Sequence, residues 1–382
     1  MQEKLNIIII GTAYPFRGGL AAFNERLAIQ LQNDGHKVTI FTFNLQYPGF
    51  LFPGKSQYSS EKAPANLIIK QKINSVNPFN WIKVGKEIKK EAPDLIIFCY
   101  WMAFMAPCFG TIARIAKSDK CKTLALIHNM IPHEPSILDK LFPAYFVNSM
   151  DGFVAMAESV KSDINHFDKL NKPKVVSPHP IYDHYGAAIT KKEAILKLGL
   201  SEESAYILFF GFIRAYKGLD LLLRAFADER LRKFKIKLII AGEFYEDSKP
   251  YLDLIEQLHL SNCIELKTNF IPDDEVRNYF CAADIVVQPY KNATQSGVTQ
   301  ICYHFNKPMM VTNVGGLAEI VPDGISGYVV APDPKAIADK LVDFYENNKI
   351  DNFTEGIIKE KQKYLWSKMT ASIIELYSNL IK

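Results

Sequence analysis

The chain has 382 residues, of which 48% are hydrophobic and 23% charged, and its formal net charge is +4. This length suits two α/β domains, and the composition is that of a folded protein and not of a disordered one. The charge is too evenly balanced to indicate a nucleic-acid binder, which presents a concentrated basic face.

The location of the protein is suggested by its cysteines and its apolar runs. Six cysteines are scattered without a C-x-x-C pair, which predicts reduced thiols in a cytoplasmic protein. The run Leu5–Ile10 ends at Gly11 and is too short for an export signal, so we predict a strand there. Leu95–Ala113 is uncharged and about long enough to span a bilayer. Because Pro107 and Gly110 interrupt it, we predict a buried strand, a loop and a helix.

The first half of the chain alternates between short apolar runs and segments with helical spacing of apolar residues. This alternation predicts a parallel, doubly wound sheet. The predicted strands are Asn6–Ile10, Lys37–Phe43, Leu95–Cys99, Thr123–Ile127 and Gly152–Ala155, and the predicted helices are Leu20–Asn33 and Trp81–Lys90. The alternation breaks at Lys174–Tyr185, where Pro178 and Pro180 predict a linker.

The second half restarts the same pattern and predicts a second sheet. The predicted strands are Ile207–Phe210, Lys237–Ala241, Ile264–Leu266, Ile285–Gln288 and Met309–Thr312, and the predicted helices are Leu219–Ala227, Tyr251–Leu258, Glu275–Phe280 and a long one over Asp351–Lys382. The expected fold is therefore α/β, with Rossmann-like domains at residues 1–180 and 187–362. A helix at residues 363–382 is expected to pack back on the first domain. Two such sheets predict a ligand-binding cleft at the carboxyl ends of their strands.

A phosphate-loop pattern, G-x-x-x-x-G-K-S, occurs at Gly49–Ser56. That motif works only between a strand and a helix, because helix dipole and backbone amides together cradle the phosphate. The residues that follow are polar, lack amphipathic spacing and include Pro64. We therefore do not predict ATP or GTP binding at this segment.

A glycine pair, Gly18-Gly19, opens the first predicted helix. Paired glycines at a helix N-terminus let backbone approach an anion or a sugar closely, although a simple tight turn has the same sequence. The G-x-G-x-x-G fingerprint is absent after the first strand, which argues against a nicotinamide dehydrogenase.

The strongest local signal is a pair of cations in the loop after the strand that ends at Gly211. Arg214 offers a planar fork and Lys217 a mobile point charge, a combination that suits a diphosphate. Two solvated loop cations would give the same pattern.

Two further loops follow strands of the second half. Thr294–Val298 leads into an apolar helix, so its free amides, its hydroxyls and the helix dipole predict an anion site. An ordinary N-cap at Thr294 or Ser296 is the alternative. Gly315-Gly316 also suggests a close backbone approach, though two turns would look the same.

In the order and spacing of these loops the chain resembles family 4 of the retaining glycosyltransferases, which have the GT-B fold of two Rossmann-like domains. The resemblance is close over Tyr206–Ala331. Its motifs there are Tyr216-Lys217-Gly218, Asn269–Asp273, Ala282–Asp284, Lys307-Pro308 and Val314–Leu317. The weaker matches in the first half are Arg17–Gly19, His128-Asn129 and Asp151–Ala155.

The resemblance implies a role for individual residues. His128 matches a histidine beside the transferred sugar and is the candidate catalytic residue, with a purely structural histidine as the alternative. Lys217 matches a phosphate-binding lysine. The implied donor-binding set is Gly18, Gly19, Arg214, Lys217, Asn269, Ile271, Thr294, Gln295, Ser296, Gly297, Val298 and Gln300.

The chain departs from the family pattern at two places. Phe212 stands where an arginine is frequent, which makes Arg214 the candidate substitute. The usual pair of glutamates is missing from Gln295–Ile301, and Gln300 is the candidate to hold the ribose. These departures leave open whether the donor is linked to UDP or GDP.

No metal site is predicted. His133 and Glu134 do not form an H-E-x-x-H motif, and no D-x-D occurs in the chain. The expected function is metal-independent, retaining transfer of a sugar, with no cofactor other than the nucleotide-sugar co-substrate. The acceptor would be a glycan or a lipid-linked sugar of bacterial polysaccharide or glycolipid synthesis. The alternatives are a nucleotide-sugar epimerase, which needs paired carboxylates, and a non-catalytic sugar-nucleotide-binding protein.

The segment Asn80–Lys90 suggests contact with a membrane. It combines apolar and basic residues, namely Trp81, Ile82, Val84 and Ile88 with Lys83, Lys86, Lys89 and Lys90. Such a helix can lie on an anionic membrane surface, at the cytoplasmic face. A helix with one core-facing and one solvated side is the alternative.

Overall fold

The computed structural model describes residues 4–47, 57–59, 62–130, 138–293 and 296–382. The chain divides into two compact units: unit 1 comprises residues Met1–His179 with Trp366–Lys382, and unit 2 comprises Pro180–Leu365. The phosphate-loop pattern Gly49–Ser56 and the pair His133 and Glu134 lie outside the described residues.

Each unit contains one sheet, and the strands pair in parallel throughout the part of the chain that the structure describes. The strands of unit 1 are β1 Asn6–Ile10, β2 Lys37–Leu45, β3 Ile68–Asn74, β4 Leu95–Tyr100, β5 Lys122–Ile127, β6 Gly152–Ala155 and β7 Lys174–Val176. Those of unit 2 are β8 Ala205–Phe210, β9 Ile236–Ala241, β10 Ile264–Lys267, β11 Ile285–Gln288, β12 Met309–Thr312 and β13 Gly327–Val330. Their spatial orders are β3-β2-β1-β4-β5-β6-β7 and β10-β9-β8-β11-β12-β13.

Fourteen α-helices connect the described strands or follow them. They are α1 Gly19–Asn33, α2 Pro78–Lys90, α3 Ala106–Ala116, α4 Leu138–Val147, α5 Glu158–Phe167, α6 Lys191–Leu198, α7 Leu219–Phe226, α8 Lys249–Gln257, α9 Asp273–Ala282, α10 Gly297–His304, α11 Leu317–Ile320, α12 Pro334–Glu346, α13 Ile350–Glu360 and α14 Trp366–Ile381. The expected α/β class, with two doubly wound Rossmann-like units, is confirmed.

The central strands are almost entirely buried, which explains why the sequence predicts them well. All residues of β4 and all but the first of β1 are buried. A parallel strand covered by helices on both faces appears in the sequence as an unbroken apolar run. The uncharged segment Leu95–Ala113 is the strand β4 followed by a short turn and most of α3. No helix of the described residues is long and apolar enough to cross a bilayer.

Two predictions about individual segments, one of a linker and one of a long helix, are wrong. Lys174–Val176, predicted as the start of a linker, is an edge strand paired with β6. The predicted helix Asp351–Lys382 is two helices, because a 3-10 turn at Lys361–Tyr364 and an extended Leu365 separate them. The second of these helices, α14, packs on α1 in unit 1. There the Trp366 ring lies 5.1 Å from the Phe23 ring, and Thr370 donates to Asp34 over 2.6 Å.

The helix α2 turns most of its predicted membrane-facing apolar residues toward the core. Val84 and Ile88 are buried, and the Trp81 Nε1 atom donates to the Asn74 carbonyl over 2.7 Å. The core-facing alternative is therefore correct for these three residues. A different apolar residue, Phe79, is exposed on the other side of the helix.

Candidate functional site

A pocket of about 340 Å³ lies in unit 2, at the carboxyl ends of its strands. Its wall includes residues of the loops that follow β8, β10 and β11, among them Gly211, Ile271 and Tyr290. Sheet order reverses between β8 and β11, so the pocket occupies the switch point where open α/β sheets bind ligands.

Lys217 is the cation of this pocket. It ends a 3-10 turn, Ala215–Lys217, and its side chain is only 9% exposed. Its Nζ atom lies 5.6 Å from the Tyr290 ring centroid, and it forms no ion pair within the described chain. Burial, with the nearby Arg214, lowers the pKa of Lys217 to about 8. A cation without a counter-ion in a buried wall is a site for an anion.

Two glycines allow the close packing around this lysine. A Cβ atom on Gly211 would lie 2.9 Å from the Lys217 Nζ atom. Gly218 has φ +67, and a Cβ there would lie 2.0 Å from the Pro289 carbonyl oxygen. The backbone of Lys291 also donates to the Tyr216 carbonyl over 2.7 Å. The turn that holds Lys217 is thus closely packed against the loop after β11.

Arg214 does not line the pocket. It is exposed, and its guanidinium carbon lies 4.8 Å from the Tyr245 ring centroid. Of the two predicted cations, Lys217 therefore lines this pocket and Arg214 does not. The physical reason is the Tyr245 ring next to the loop, whose face attracts the guanidinium.

The N-terminus of α10 forms another part of the wall. Ser296 caps the helix, since its Oγ atom accepts from the Val298 amide over 3.2 Å and lies 3.2 Å from the Tyr290 hydroxyl. Gly297 and Val298 also line the pocket. The first amides and the dipole of α10 therefore favour an anion on the same side. Thr294 and Gln295 lie outside the described residues.

Of the remaining predicted residues of unit 2, one lines the pocket and two do not. Ile271 lines the pocket, whereas Asn269 is exposed and does not. Gln300 is 2% exposed and does not line the pocket either. Both polar atoms of its side chain lack a hydrogen-bond partner among the described residues.

Sequence reasoning missed the aromatic and acidic parts of the wall. The pocket is lined by Tyr182, Tyr185, Phe210, Phe270, Tyr290, Glu243 and Asp273. The Tyr182 ring packs so close to Gly297 that a Cβ there would lie 2.8 Å away. Both Tyr182 and Tyr185 lie in the segment predicted as a linker. The presence of these two tyrosines was the signal that could have indicated a binding role for the segment, since a linker rarely needs aromatic residues.

The other predicted site residues belong to unit 1. Gly18 is the N-cap of α1, and Cβ atoms built on Gly18 and Gly19 meet nothing within 4 Å. His128 follows β5, and its ring packs edge-on against Phe23 at 4.7 Å. Its Nε2 atom is buried without a hydrogen-bond partner in the described chain. Burial, with a smaller effect of His179, lowers the pKa of His128 to about 3, so the imidazole is neutral at physiological pH.

No group of three or more histidine, cysteine, aspartate and glutamate side chains suited to a metal ion occurs in the described ranges. The polar groups at the pocket are Lys217, the α10 N-terminus, backbone amides and a few hydroxyl and carboxyl groups.

Comparisons with known proteins point to one enzyme family. The family described as Glycosyltransferase Family 4 matches residues 17–183, and the one described as Glycosyl transferases group 1 matches residues 204–347. An uncharacterized glycosyltransferase of Methanocaldococcus jannaschii is 24% identical over 390 residues, covering 98% of this chain and 99% of its own.

Solved structures with the same fold include a glycosyltransferase from Rickettsia africae. It is 19% identical, with a TM-score of 0.73 and 99% of both chains covered. The Anabaena protein HepE, solved in complex with UDP-glucose, has a TM-score of 0.69 at 14% identity. The match covers 98% of this chain and 100% of HepE.

Proposed function

This chain belongs to family 4 of the glycosyltransferases and has the GT-B fold, and on that premise we propose that its unit 2 pocket binds a nucleoside-diphosphate sugar as the glycosyl donor. The acceptor is a hydroxyl group of a glycan or of a lipid-linked sugar. In the reaction the bond between the sugar and the diphosphate breaks, a bond to the acceptor oxygen forms, and the acceptor hydroxyl loses its proton.

The observation that carries this proposal is the buried Lys217, which forms no ion pair with a described residue, in an aromatic-lined pocket at the switch point of the sheet. The volume of the pocket, about 340 Å³, lies within the range of small-molecule sites. Aromatic side chains offer faces to a nucleobase, and the ammonium together with the α10 N-terminus offers positive potential to the diphosphate.

The same groups would support catalysis. Negative charge grows on the diphosphate as the sugar departs, so fixed donors that already point at it stabilise the transition state more than the ground state. We assign this role to Lys217 and to the amides of Gly297 and Val298. Arg214 is assigned a supporting role, since it must leave Tyr245 before it can contact a phosphate.

For unit 1 we propose that Gly18 and Gly19 admit a ligand to the start of α1, because their Cβ positions face open space. We also propose that His128 acts near the transferred sugar as a neutral hydrogen-bonding group. Its buried, unpartnered Nε2 atom supports this role, and its lowered pKa argues against a role as a cationic acid.

Retention of the anomeric configuration and independence from metal ions are further parts of the proposal. The family resemblance supports the first. The absence of a D-x-D motif from the sequence supports the second. UDP is the nucleotide to test first, because the structurally similar HepE was solved with UDP-glucose. GDP is the comparison.

The decisive experiment combines calorimetry with product analysis. UDP and GDP are titrated separately into the full chain, and a panel of UDP- and GDP-sugars is then offered with glycan and lipid-linked acceptors in EDTA. We expect one nucleotide to bind and its sugar to be transferred with retention in the presence of the chelator. If neither nucleotide binds and no donor is used, the assigned pocket is wrong. Loss of activity in EDTA would contradict metal independence alone.

A further inference from the structure

The wall of the unit 2 pocket contains two carboxylates, Glu243 and Asp273. Asp273 is exposed and is the first residue of α9, where an acidic side chain interacts favourably with the helix dipole. Glu243 has no such explanation. It lies in the loop after β9, is half-buried, and its carboxylate forms no ion pair or hydrogen bond with a described residue. A half-buried carboxylate of this kind is a hydrogen-bond acceptor available to a ligand.

The backbone at Glu243 is fixed against the loop that carries Lys217. Gly242 has φ +136, and a Cβ atom there would lie 2.4 Å from the Gly211 carbonyl oxygen. The Glu243 carbonyl accepts from the Ile213 amide over 2.8 Å. Glu243 therefore extends from a loop that packs directly on the loop of the proposed phosphate site.

The order of the strands places Glu243 between that phosphate site and the aromatic end of the pocket. Lys217, Glu243 and Phe270 all line the pocket, from the loops that follow β8, β9 and β10, and these strands are neighbours in the order β10-β9-β8. A nucleotide has the same order of parts, because its ribose joins the base to the phosphate. Neighbouring strands lie about 4.8 Å apart, so a nucleotide with its diphosphate at Lys217 and its base at Phe270 has its ribose at Glu243.

This arrangement agrees with a general feature of nucleotide-binding sheets. Counted along unit 2, the strands have the spatial order 3-2-1-4-5-6 of a Rossmann sheet. In dinucleotide-binding domains of that order, the phosphate lies at the loop after the first strand, and an acidic side chain after the second strand accepts from a ribose hydroxyl. Since β8 is the first strand of unit 2 and β9 the second, Glu243 occupies the corresponding position.

The helix α10 does not supply such a carboxylate from the described residues that line the pocket. Those residues are Ser296, Gly297, Val298 and Ile301. Gln300, the candidate from the sequence to hold the ribose, does not line the pocket. The group that replaces the missing glutamates must therefore come from another loop.

We propose that Glu243 is a specificity-determining residue of the donor site, whose carboxylate accepts from the 2′- and 3′-hydroxyl groups of the donor ribose. The inference rests on the proposed function, because it needs a nucleotide in the unit 2 pocket. Two adjacent hydroxyl groups suit a carboxylate, since each oxygen accepts one charge-assisted hydrogen bond. A donor without the 2′-hydroxyl leaves one of these bonds unmade. Sugars linked to thymidine diphosphate, a 2′-deoxyribonucleotide, should therefore be poor donors.

The test is calorimetric titration of the full chain with UDP, 2′-deoxy-UDP and 3′-deoxy-UDP, and with the three corresponding guanosine compounds. We expect the wild type to bind the preferred ribonucleotide roughly ten- to a hundredfold more tightly than either deoxy form, as is typical of a hydrogen bond to a charged group. Glu243→Ala should lower this preference to roughly twofold or less, and Glu243→Gln, which keeps one neutral acceptor, should have an intermediate preference. The ratio of affinities cancels the general effect of removing a negative charge near a diphosphate, and a merely structural role would not change it.

A matched control comes from the same loop. Glu246 is exposed, does not line the pocket, and accepts from the Tyr251 hydroxyl over 2.7 Å. Glu246→Ala removes the same charge from the loop after β9 and should retain the wild-type preference for ribonucleotides. Asp273→Ala tests the other carboxylate of the wall and should retain that preference too. Circular dichroism of each variant checks that the chain remains folded.

The results that would overturn this inference are distinct from a failure of the proposed function. If the wild type binds a ribonucleotide no more tightly than its deoxy forms, or if Glu243→Ala keeps the wild-type preference, the donor proposal stands and the role of Glu243 is wrong. A loss of preference in Asp273→Ala alone would assign the ribose to α9. Binding of none of the nucleotides would contradict the donor site itself, and the role of Glu243 with it.

Discussion

The ammonium of Lys217 lies 5.6 Å from the centre of the Tyr290 ring, and the two residues belong to loops that follow adjacent strands, β8 and β11. The ring supplies a partial negative potential without a full counter-charge. Lys217 therefore lies against an aromatic face and has no counter-ion among the described residues, which suits the diphosphate that we propose as its ligand.

The first prediction compares the two cations of this region. Lys217→Met should lower kcat/KM and UDP affinity by roughly ten- to more than a hundredfold, because a charge-assisted hydrogen bond is worth about 1.5–3 kcal/mol. Arg214→Gln should cost at most roughly fivefold, because Arg214 is exposed and interactions at such sites are worth about 0–1 kcal/mol. Steady-state kinetics and calorimetry measure both effects. A larger loss for Arg214→Gln would show that the arginine moves into the pocket and is the main phosphate ligand.

The second prediction concerns stability against pH. The pKa of Lys217 is lowered from an ordinary value of 10.5 to about 8 in the folded chain. Between these values the unfolded chain binds more protons, so this group destabilises the fold below pH 8 and stops doing so as pH rises to 10.5. Lys217→Met, measured by urea unfolding without nucleotide, should be the more stable protein at pH 7, by up to about 3 kcal/mol. The difference from wild type should shrink toward pH 10. A constant difference would mean that the lysine is not desolvated.

The third prediction uses two glycines with nearly the same backbone conformation. Gly218 and Gly199 have φ +67 and φ +66, but only a Cβ on Gly218 meets backbone, 2.0 Å from the Pro289 oxygen. Gly199→Ala should cost about 1–2 kcal/mol of stability, from the left-handed conformation alone. Gly218→Ala should cost at least about 2 kcal/mol more, because the Lys217 turn must move away from the next loop. It should also weaken UDP binding. Thermal unfolding with and without UDP measures both, and equal costs would contradict the close packing.

The fourth prediction concerns the ring contact between His128 and Phe23. The pKa of His128, lowered to about 3, predicts a neutral imidazole throughout the range from pH 5 to 8. Phe23→Ala should admit water to the ring, which raises the pKa toward its ordinary value and makes His128 titrate above pH 5. Histidine ring NMR signals follow this directly, and His128→Asn assigns the resonance. Titration of His128 near pH 6.5 in the wild type would show that the ring is solvated.

Much of the fold could be predicted because the central strands are buried on both faces. The strands β1, β6, β11 and β12 begin and end at the predicted residues, and the other predicted strands differ by only one or two residues. The edge strands β3, β7 and β13 were not predicted. β3 alternates exposed, partly buried and buried residues, and β7 has only three residues. Neither produces the continuous apolar run that identifies a central parallel strand.

The structure brings the loops of Lys217 and of Gly297 to one pocket, but it gives the predicted side chains of these loops different surroundings. Lys217 and Arg214 are three residues apart and have the same charge, yet only Lys217 lines the pocket. The difference depends on Tyr245 and Tyr290, which are distant in sequence. Tyr182 and Tyr185, in the segment predicted as a linker, likewise line the pocket through contacts with residues distant in sequence.

The sequence by itself determined the fold class, the family and the loops that carry polar chemistry, because these depend on local apolar runs and on motifs a few residues long. Only the tertiary structure decided the packing direction of each element. Tyr364 packs on Tyr303 in unit 2, at 4.6 Å, while Trp366, two residues later, packs on Phe23 in unit 1. A helical pattern looks the same whichever apolar partner buries it. The break at Leu365 and the outward position of Phe79 therefore follow from long-range burial, which no local pattern encodes.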